Sequence, residues 1–516
     1  MESPTLFGTR PLFDFALSDN NYDMTEKTHT IKINLPGGII SAGDFFDILN
    51  AAEEAGAQHI RFGNRQQLFF DIAGEKLEDL EYDFLQANIT YEVDTDKYPN
   101  IVSSYVTEDV FGNSNWVREG VYKDVLDLFE YTPKLKINLD DNQQSFIPFF
   151  TGNLNFISSD ISNFWFLYIR FPKTNTIWRW PVLIYSDDIP AISRLIENLI
   201  FANRDLFYDQ DSIDGSLLFA KVHEQENFIT EPVTEAVKLP AFQLPYYEGF
   251  NNYGNKLWLG IYRRDELYTI AFLKDICSVC LQTRVGQLYT TSWKSLVIKG
   301  IEQHDQKLWN AVLAKHRINV RHASNELNWQ IEDLCEYGLG LKRFLVKQFD
   351  EIDLRTYRLC FAIKTQPKTG LFGSVIIRKQ FIGTADESAE DLFDILHTID
   401  FNPNTKSFNL FRSGIKKEEL LDCLVTLCNN FYDMQSQPQS LKTERPKQEH
   451  AEEKIVEYVH QCKNCFTVYD DEFGDELNNV PAGVKFDDLS DLYVCPTCDA
   501  GKEDFILIEK FSSVHL

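Results

Sequence analysis

The sequence predicts an α+β protein with two similar halves and a small metal-stapled module at its C-terminal end. Three observations carry that expectation. Residues 29–93 read as strand, helix, strand, strand, helix, strand. The same order returns about 228 residues later. Beyond a polar stretch, the pairs Cys462/Cys465 and Cys495/Cys498 stand 29 residues apart.

Residues 1–27 are polar and without period. From His29 to Leu35 apolar and polar residues alternate as in a half-buried strand, closed by Pro36, Gly37 and Gly38. Ser41 can cap a helix whose apolar positions (Phe45, Phe46, Ile48, Leu49, Ala52) repeat at helical spacing up to Gly56. Ile60–Phe62 and Gln67–Ile72 read as strands around the turn Gly63–Gln66, a second helix spans roughly Lys76–Gln86, and Ile89–Val93 closes the unit. This is a ferredoxin-like half-sheet. In the second copy Lys256–Tyr262, Gln287–Thr290, Leu296–Ile301 and Ile318–Arg321 are strands, and Arg264–Cys280 and Gln306–His316 helices. At the repeat offset Arg65 falls on Trp293 and Leu68 on Leu296.

The organisation that follows is a half-domain over 28–95, an α/β domain over 100–250, a second half-domain over 255–322 and a second α/β domain over 330–434. Within the α/β domains Val121–Tyr131, Ile189–Phe201, Leu341–Phe349 and Lys416–Asp433 read as helices, and Phe164–Arg170, Tyr357–Lys364 and Gly373–Arg378 as strands. Residues 435–454 hold one large apolar side chain, Leu441, and predict a flexible linker. The metal module spans 455–508.

Bulk properties exclude several function classes. A net charge of −28 argues against nucleic acid as partner, because phosphate backbones demand basic surfaces. No apolar run approaches the roughly 18 residues of a membrane helix, and the N-terminal residues do not read as a signal peptide. All ten cysteines lie after residue 276 at irregular spacings, which predicts no disulfide framework and a cytoplasmic location. The histidines form no metal-ligand pair, and no phosphate loop or Ser/His/Asp spacing is present. Cys277 and Cys280, late in a predicted helix, and Cys423 and Cys428 read as buried structural thiols.

The two Cys-x-x-Cys pairs point to one tetrahedral ion, since each knuckle presents two thiolates to one point and soft sulfur ligands select zinc or iron. A module of about fifty residues needs such a staple. Tyr469, Phe486, Tyr493 and Phe505 supply its candidate aromatic core. With Tyr469-Asp470, Gly474-Asp475, Pro481-Ala482-Gly483 and Tyr493-Val494-Cys495-Pro496-Thr497-Cys498, the stretch resembles rubredoxin, and the resemblance implies one mononuclear iron held by Cys462, Cys465, Cys495 and Cys498. Rubredoxins place glycine directly after each cysteine pair, where Phe466 and Asp499 stand here. Asp tolerates a left-handed backbone and Phe does so at a cost, so strain is expected at the first knuckle.

The repeated half-units resemble the siroheme nitrite and sulfite reductases, whose turn between strands two and three reads like Thr-Thr-Arg-Gln-Asn or Thr-Pro-Trp-Arg-Ser. The matching stretches here are Gly63-Asn64-Arg65-Gln66-Gln67 and Thr291-Ser292-Trp293-Lys294-Ser295. The resemblance implies that Arg65 and Lys294 stand where basic side chains meet tetrapyrrole carboxylates. It also implies a four-iron cluster held by four cysteines, yet the first 276 residues contain none, and Asp140, Asp141 and Gln144 stand near the expected thiolates. Cys335 and Cys360 match neither cluster spacing. Siroheme is therefore not expected.

The sequence reading is an electron-transfer protein rather than a stand-alone enzyme. A mononuclear Fe(Cys)4 centre passes single electrons, and a cluster-less reductase-like body serves as docking platform in nitrite or sulfite assimilation. Twelve acids against three bases over residues 455–508 make redox proteins with a basic docking face the expected partners. Two alternatives stay open on sequence: a siroheme subunit fed by the module, and a zinc-stabilised interaction protein.

Overall fold

The computed structural model describes residues 28–111, 116–174, 176–210, 212–367, 370–380, 391–436, 458–475, 477–478 and 480–509. It forms two compact units, Met1–Ser436 and Gln437–Leu516. The loop expected over residues 1–27 and all but the first two residues of the linker expected over 435–454 lie outside the described residues. The last helix of the body, Leu420–Ser436, runs two residues into the predicted linker.

The two half-sheets exchange a strand. In the first, Thr28–Ile33, Leu68–Ala73 and His59–Phe62 lie side by side, and the edge strand beyond His59–Phe62 is Tyr268–Thr269 from the second repeat. In the second, Lys256–Ile261, Leu296–Glu302 and Gln287–Thr290 are edged by Ile39–Ser41 from the first repeat. Both donated strands directly precede the first helix of their own repeat, Ala42–Glu54 and Ile270–Thr283, so crossing to the other sheet delivers each helix against its counterpart. Ser41 caps the first of them, its hydroxyl accepting from the Asp44 N–H at 3.0 Å. Phe45, Leu49 and Ala52 then share one core with Phe272, Leu273, Ile276, Cys277 and Cys280. Each large apolar side chain buried there contributes about 1.5–3 kcal/mol. Cys277 and Cys280 are packing residues, and burial pushes the Cys277 thiol up to about 12.

One expected strand is replaced. Ile318–Arg321 forms no strand; Ile318 and Val320 only pack against the core. Its place beside Lys256–Ile261 is taken by Gly249–Tyr253, which reaches it through a tight turn at Gly254 (φ 53°). In the first repeat the shortened Glu92–Val93 fills that place. A hairpin neighbour closes a far shorter loop than a strand returning after a helix.

The duplication extends through the α/β layers. Val102–Ser103, Ile137–Asp140 and Leu154–Ser158 are parallel, followed by antiparallel Phe164–Arg170 and Val182–Tyr185. Trp329–Ile331, Phe361–Lys364 and Val375–Lys379 are parallel, followed by antiparallel Leu392–Thr398 and Phe408–Lys416. Helices Ile189–Ala202 and Glu336–Glu351 bury Ile192, Ile196 and Ile200, and Leu341, Leu345 and Phe349, in the respective cores.

Candidate metal centre and the basic cavity of the body

In the C-terminal unit a three-stranded antiparallel sheet orders Val468–Tyr469, Tyr458–Cys462 and Phe505–Glu509. The first ligand ends its central strand, with Cys462 opposite Phe505. Two similar knuckles follow. In the first, the Phe466 N–H donates to the Cys462 carbonyl at 2.9 Å and the Cys462 N–H to the Thr467 carbonyl at 2.9 Å. In the second, the Asp499 N–H donates to the Cys495 carbonyl at 3.0 Å and the Cys495 N–H to the Ala500 carbonyl at 2.8 Å. Closing each loop requires a left-handed residue after the second cysteine: φ is 64° at Phe466 and 57° at Asp499. The strain expected at Phe466 is present, about 1–2 kcal/mol for such a backbone.

All four sulfurs lie within 4.8 Å of one another. Cys465 and Cys495 are 3.4 Å apart and Cys462 and Cys498 3.6 Å. Metal–sulfur bonds of about 2.3 Å in a tetrahedron place sulfurs about 3.8 Å apart. The donor set therefore fits one mononuclear iron, with no position left open for a substrate. Cys462 and Cys495 are buried, Cys465 is half-buried and Cys498 exposed. The hydroxyl of Thr467, 3.1 Å from Cys465 Sγ, and its N–H favour the Cys465 thiolate and hold that thiol down to about 6.

The aromatic residues picked out from the sequence form the core beneath the sulfurs. Tyr469, Phe486, Tyr493 and Phe505 are all buried, with Phe486 5.0 Å from Phe505 and 5.5 Å from Tyr469 between ring centres. Sequence reasoning missed the polar frame around them. Asp475 accepts from the Tyr493 hydroxyl at 2.7 Å and from Asn478 Nδ2 at 2.8 Å. Lys502 Nζ donates to the carbonyls of Asp487 and Leu489. The Thr467 and Thr497 hydroxyls meet at 2.9 Å and join the knuckles. Only the Tyr-Asp and Gly-Asp pairs hinted at this frame.

In the body, the turns that carry Arg65 and Lys294 converge on Asp333. Its carboxylate accepts from the Asn64 N–H (2.9 Å) and Gln67 Nε2 (3.2 Å) and pairs with Lys294 Nζ (3.5 Å). Lys294 also pairs with Glu266 at 2.8 Å. Burial alone would lower its ammonium, but Glu266 and Asp333 outweigh burial and hold it up. Arg65 is buried and donates to the Asn100 carbonyl (2.7 and 3.1 Å), the Ile137 carbonyl (2.9 Å) and Asn138 Oδ1 (3.2 Å). Burial lowers it to about 10. Both basic groups are thus committed to protein partners.

Arg65 nevertheless lines a cavity of about 720 Å³ together with Lys136, Arg170, Lys364 and Arg378. Lys136, in the Pro133–Ile137 stretch, is brought down to about 8, first by burial and then by Arg65 and Arg170. The sequence reading did not single out Arg170, Lys364 or Arg378, because cations 200 residues apart join only through the fold. Among the described residues no cysteine, histidine or methionine lines the cavity. Among the described residues the one His, Cys, Asp or Glu cluster with metal-holding geometry is the four-cysteine group. Cys335 instead caps a helix, accepting from the Gly338 N–H at 3.3 Å, and Cys360 is buried. Asp140, Asp141 and Gln144 are buried too. The body's side chains do not fit a four-iron cluster bridged to siroheme.

The family described as Rubredoxin matches residues 459–505, and the Nitrite/Sulfite reductase ferredoxin-like half domain matches residues 22–87. Rubredoxin-2 of Chlorobaculum tepidum is 44% identical over 48 residues, which are 9% of this chain and 92% of that protein. Rubredoxin-2 of Desulfovibrio desulfuricans is 51% identical over 45 residues, 9% of this chain and 73% of that protein. The structure of the Mycobacterium tuberculosis NirA protein superposes with a TM-score of 0.60 at 13% identity, covering 80% of this chain and 82% of that one, a likeness of fold. Through its C-terminal unit the chain belongs to the rubredoxin family, joined to a body of NirA-like fold that opens with a nitrite/sulfite reductase ferredoxin-like half domain.

Proposed function

We propose that this protein is a one-electron carrier whose iron, held by Cys462, Cys465, Cys495 and Cys498, exchanges electrons with partner proteins. The carrying observation is the closed four-sulfur site: with every coordination position filled by protein, bound iron supplies only the gain and loss of one electron. The chain's own contribution is to fix the four thiolates, exclude water from Cys462 and Cys495, and bring Cys465 and Cys498 toward the surface. In this reading the reductase-like body is a docking platform for a partner in nitrite or sulfite assimilation. The partner presents a basic face, as the acidic module favours. The setting is cytoplasmic; no helix among the described residues is long and apolar enough to cross a membrane. Neither nucleic acid nor membrane has a place in it.

A visible spectrum before and after dithionite, with metal analysis of the same sample, tests this. Iron-thiolate bands that bleach on reduction are expected. A colourless protein holding one zinc would refute the carrier and leave the cysteines as a staple.

One observation favours a second reading of the body. Cations gathered in a 720 Å³ cavity of a strongly acidic protein suit a polyanionic ligand. A ligand retained through gel filtration, such as a tetrapyrrole with a Soret-type band, would support it.

A further inference from the structure

The two residues that depart from glycine at the knuckles occupy matching positions, and both side chains face solvent. Phe466 follows Cys465 and Asp499 follows Cys498, each left-handed and each hydrogen-bonded back to the first cysteine of its pair. Cys465 and Cys498 are also the two ligands that are not fully buried. The hydroxyl contact between Thr467 and Thr497 links the two knuckles, with Phe466 next to Thr467 and Asp499 two residues beyond Thr497. These two sulfurs are the ones nearest solvent and so the shortest way out for an electron.

Neither side chain serves the module's own core. Phe466 is 69% exposed and takes no part in the aromatic cluster of Tyr469, Phe486, Tyr493 and Phe505. An aromatic ring left mostly exposed in its own fold, at a backbone position that penalises a bulky side chain, is available to be buried by another surface. Asp499 adds a fixed negative charge at the matching position, in a module where acids outnumber bases twelve to three. The first knuckle carries Lys463, also exposed, so the two knuckles differ: apolar and cationic at one, anionic at the other.

We propose that Phe466 and Asp499 form a two-point docking edge that selects a redox partner presenting an apolar socket beside a cation. Phe466 is the apolar anchor, which excludes water between the partner's cofactor and the Cys465 side of the iron. Asp499 orients the encounter through opposite charge. The inference rests on the electron-carrier reading and adds the recognition chemistry of its exit.

The test uses the full-length, iron-loaded protein and its Phe466→Gly, Asp499→Gly and double variants. Glycine suits a left-handed backbone, so the fold is not at risk, and iron content with the visible spectrum checks that the centre is intact. Reduced protein is mixed by stopped flow with cytochrome c, whose haem edge is apolar and ringed by lysines, and separately with ferricyanide. Phe466→Gly is expected to slow cytochrome c reduction about tenfold. Asp499→Gly is expected to slow it about threefold and to flatten its dependence on ionic strength. Ferricyanide rates should stay within about twofold, because a small ion needs no docking surface. Unchanged cytochrome c rates in both variants would overturn the proposal, and so would equal losses with both acceptors, which would assign the residues to the iron's own electron release. Failure of the carrier reading shows separately, as wild-type protein with no bands that bleach.

Discussion

The two units of this protein hold themselves together in opposite ways. The body buries large cores, one of them shared by both half-sheets, and its charged groups are held inside by partners such as Lys294 with Glu266. Among the described residues the core cluster of the C-terminal unit holds eight buried residues, two of them metal ligands. In a small module the ligand set does the work that apolar area does elsewhere. The same contrast separates tolerance: a body residue fails by leaving a cavity or an orphaned charge, whereas a module residue fails by losing the ion.

The largest effect should come from Cys495→Ala. Loss of a buried sulfur removes the tetrahedral site, so the iron-thiolate chromophore should vanish and the module unfold, while the calorimetric transition of the body persists. A single transition lost as a whole would show that the two units do not fold independently. Phe272→Ala should act in reverse. It opens a cavity in the core shared by both half-sheets and should cost the body about 3–5 kcal/mol with the iron spectrum unchanged. Lys294→Met leaves Glu266 and Asp333 facing each other in the interior, and the body should lose about 3 kcal/mol in denaturant titrations.

Lys136 sharpens the comparison from the other side. Its ammonium is held at about 8, below the value of an unfolded lysine, so folding disfavours its charged form. Stability on this account is lowest below pH 8 and rises as pH climbs from about 8 toward 10.4, where the unfolded lysine also loses its proton. Lys136→Met should raise the body's stability by about 1–2 kcal/mol at pH 7 and make the rise shallower, leaving the share of the other depressed lysines, Lys299 and Lys342 among them, as read from urea midpoints across pH 7–10. A midpoint lowered at pH 7 would mean that an anion already compensates this cation in the purified protein.

How far the sequence revealed these features depended on the range of the interactions behind them. The knuckles, their left-handed residues and the aromatic core of the module were legible because they are local: Cys-x-x-Cys is its own geometry, and the residue after it must reverse the chain. The duplicated β-α-β-β-α-β order was legible for the same reason. What was hidden depends on tertiary closure. Nothing in Ile39–Ser41 or Tyr268–Thr269 announces that each joins the other repeat's sheet. Ile318–Arg321 carries alternation enough for a strand, but a hairpin had already taken the edge. Arg65 and Lys294 resemble cofactor contacts in their turns, and only burial shows that their protons go to backbone carbonyls and carboxylates.

The smallest effect discriminates between the two knuckles themselves. Phe466 and Asp499 share a backbone conformation and differ in how well their side chains suit it. A left-handed backbone costs an ordinary side chain about 1–2 kcal/mol, while aspartate relieves part of that through local hydrogen bonds. Glycine removes the strain but gives the unfolded chain more freedom, a loss of about 0.5–1 kcal/mol. For Phe466→Gly the balance should favour the folded module by about 0.5 kcal/mol, since the mostly exposed ring forfeits little burial. For Asp499→Gly it should lie near zero or slightly below. The readout is the denaturant midpoint of the iron-loaded module, followed by loss of the visible bands. An Asp499 variant gaining more than the Phe466 variant would show that the strain at the first knuckle is relieved elsewhere in its loop.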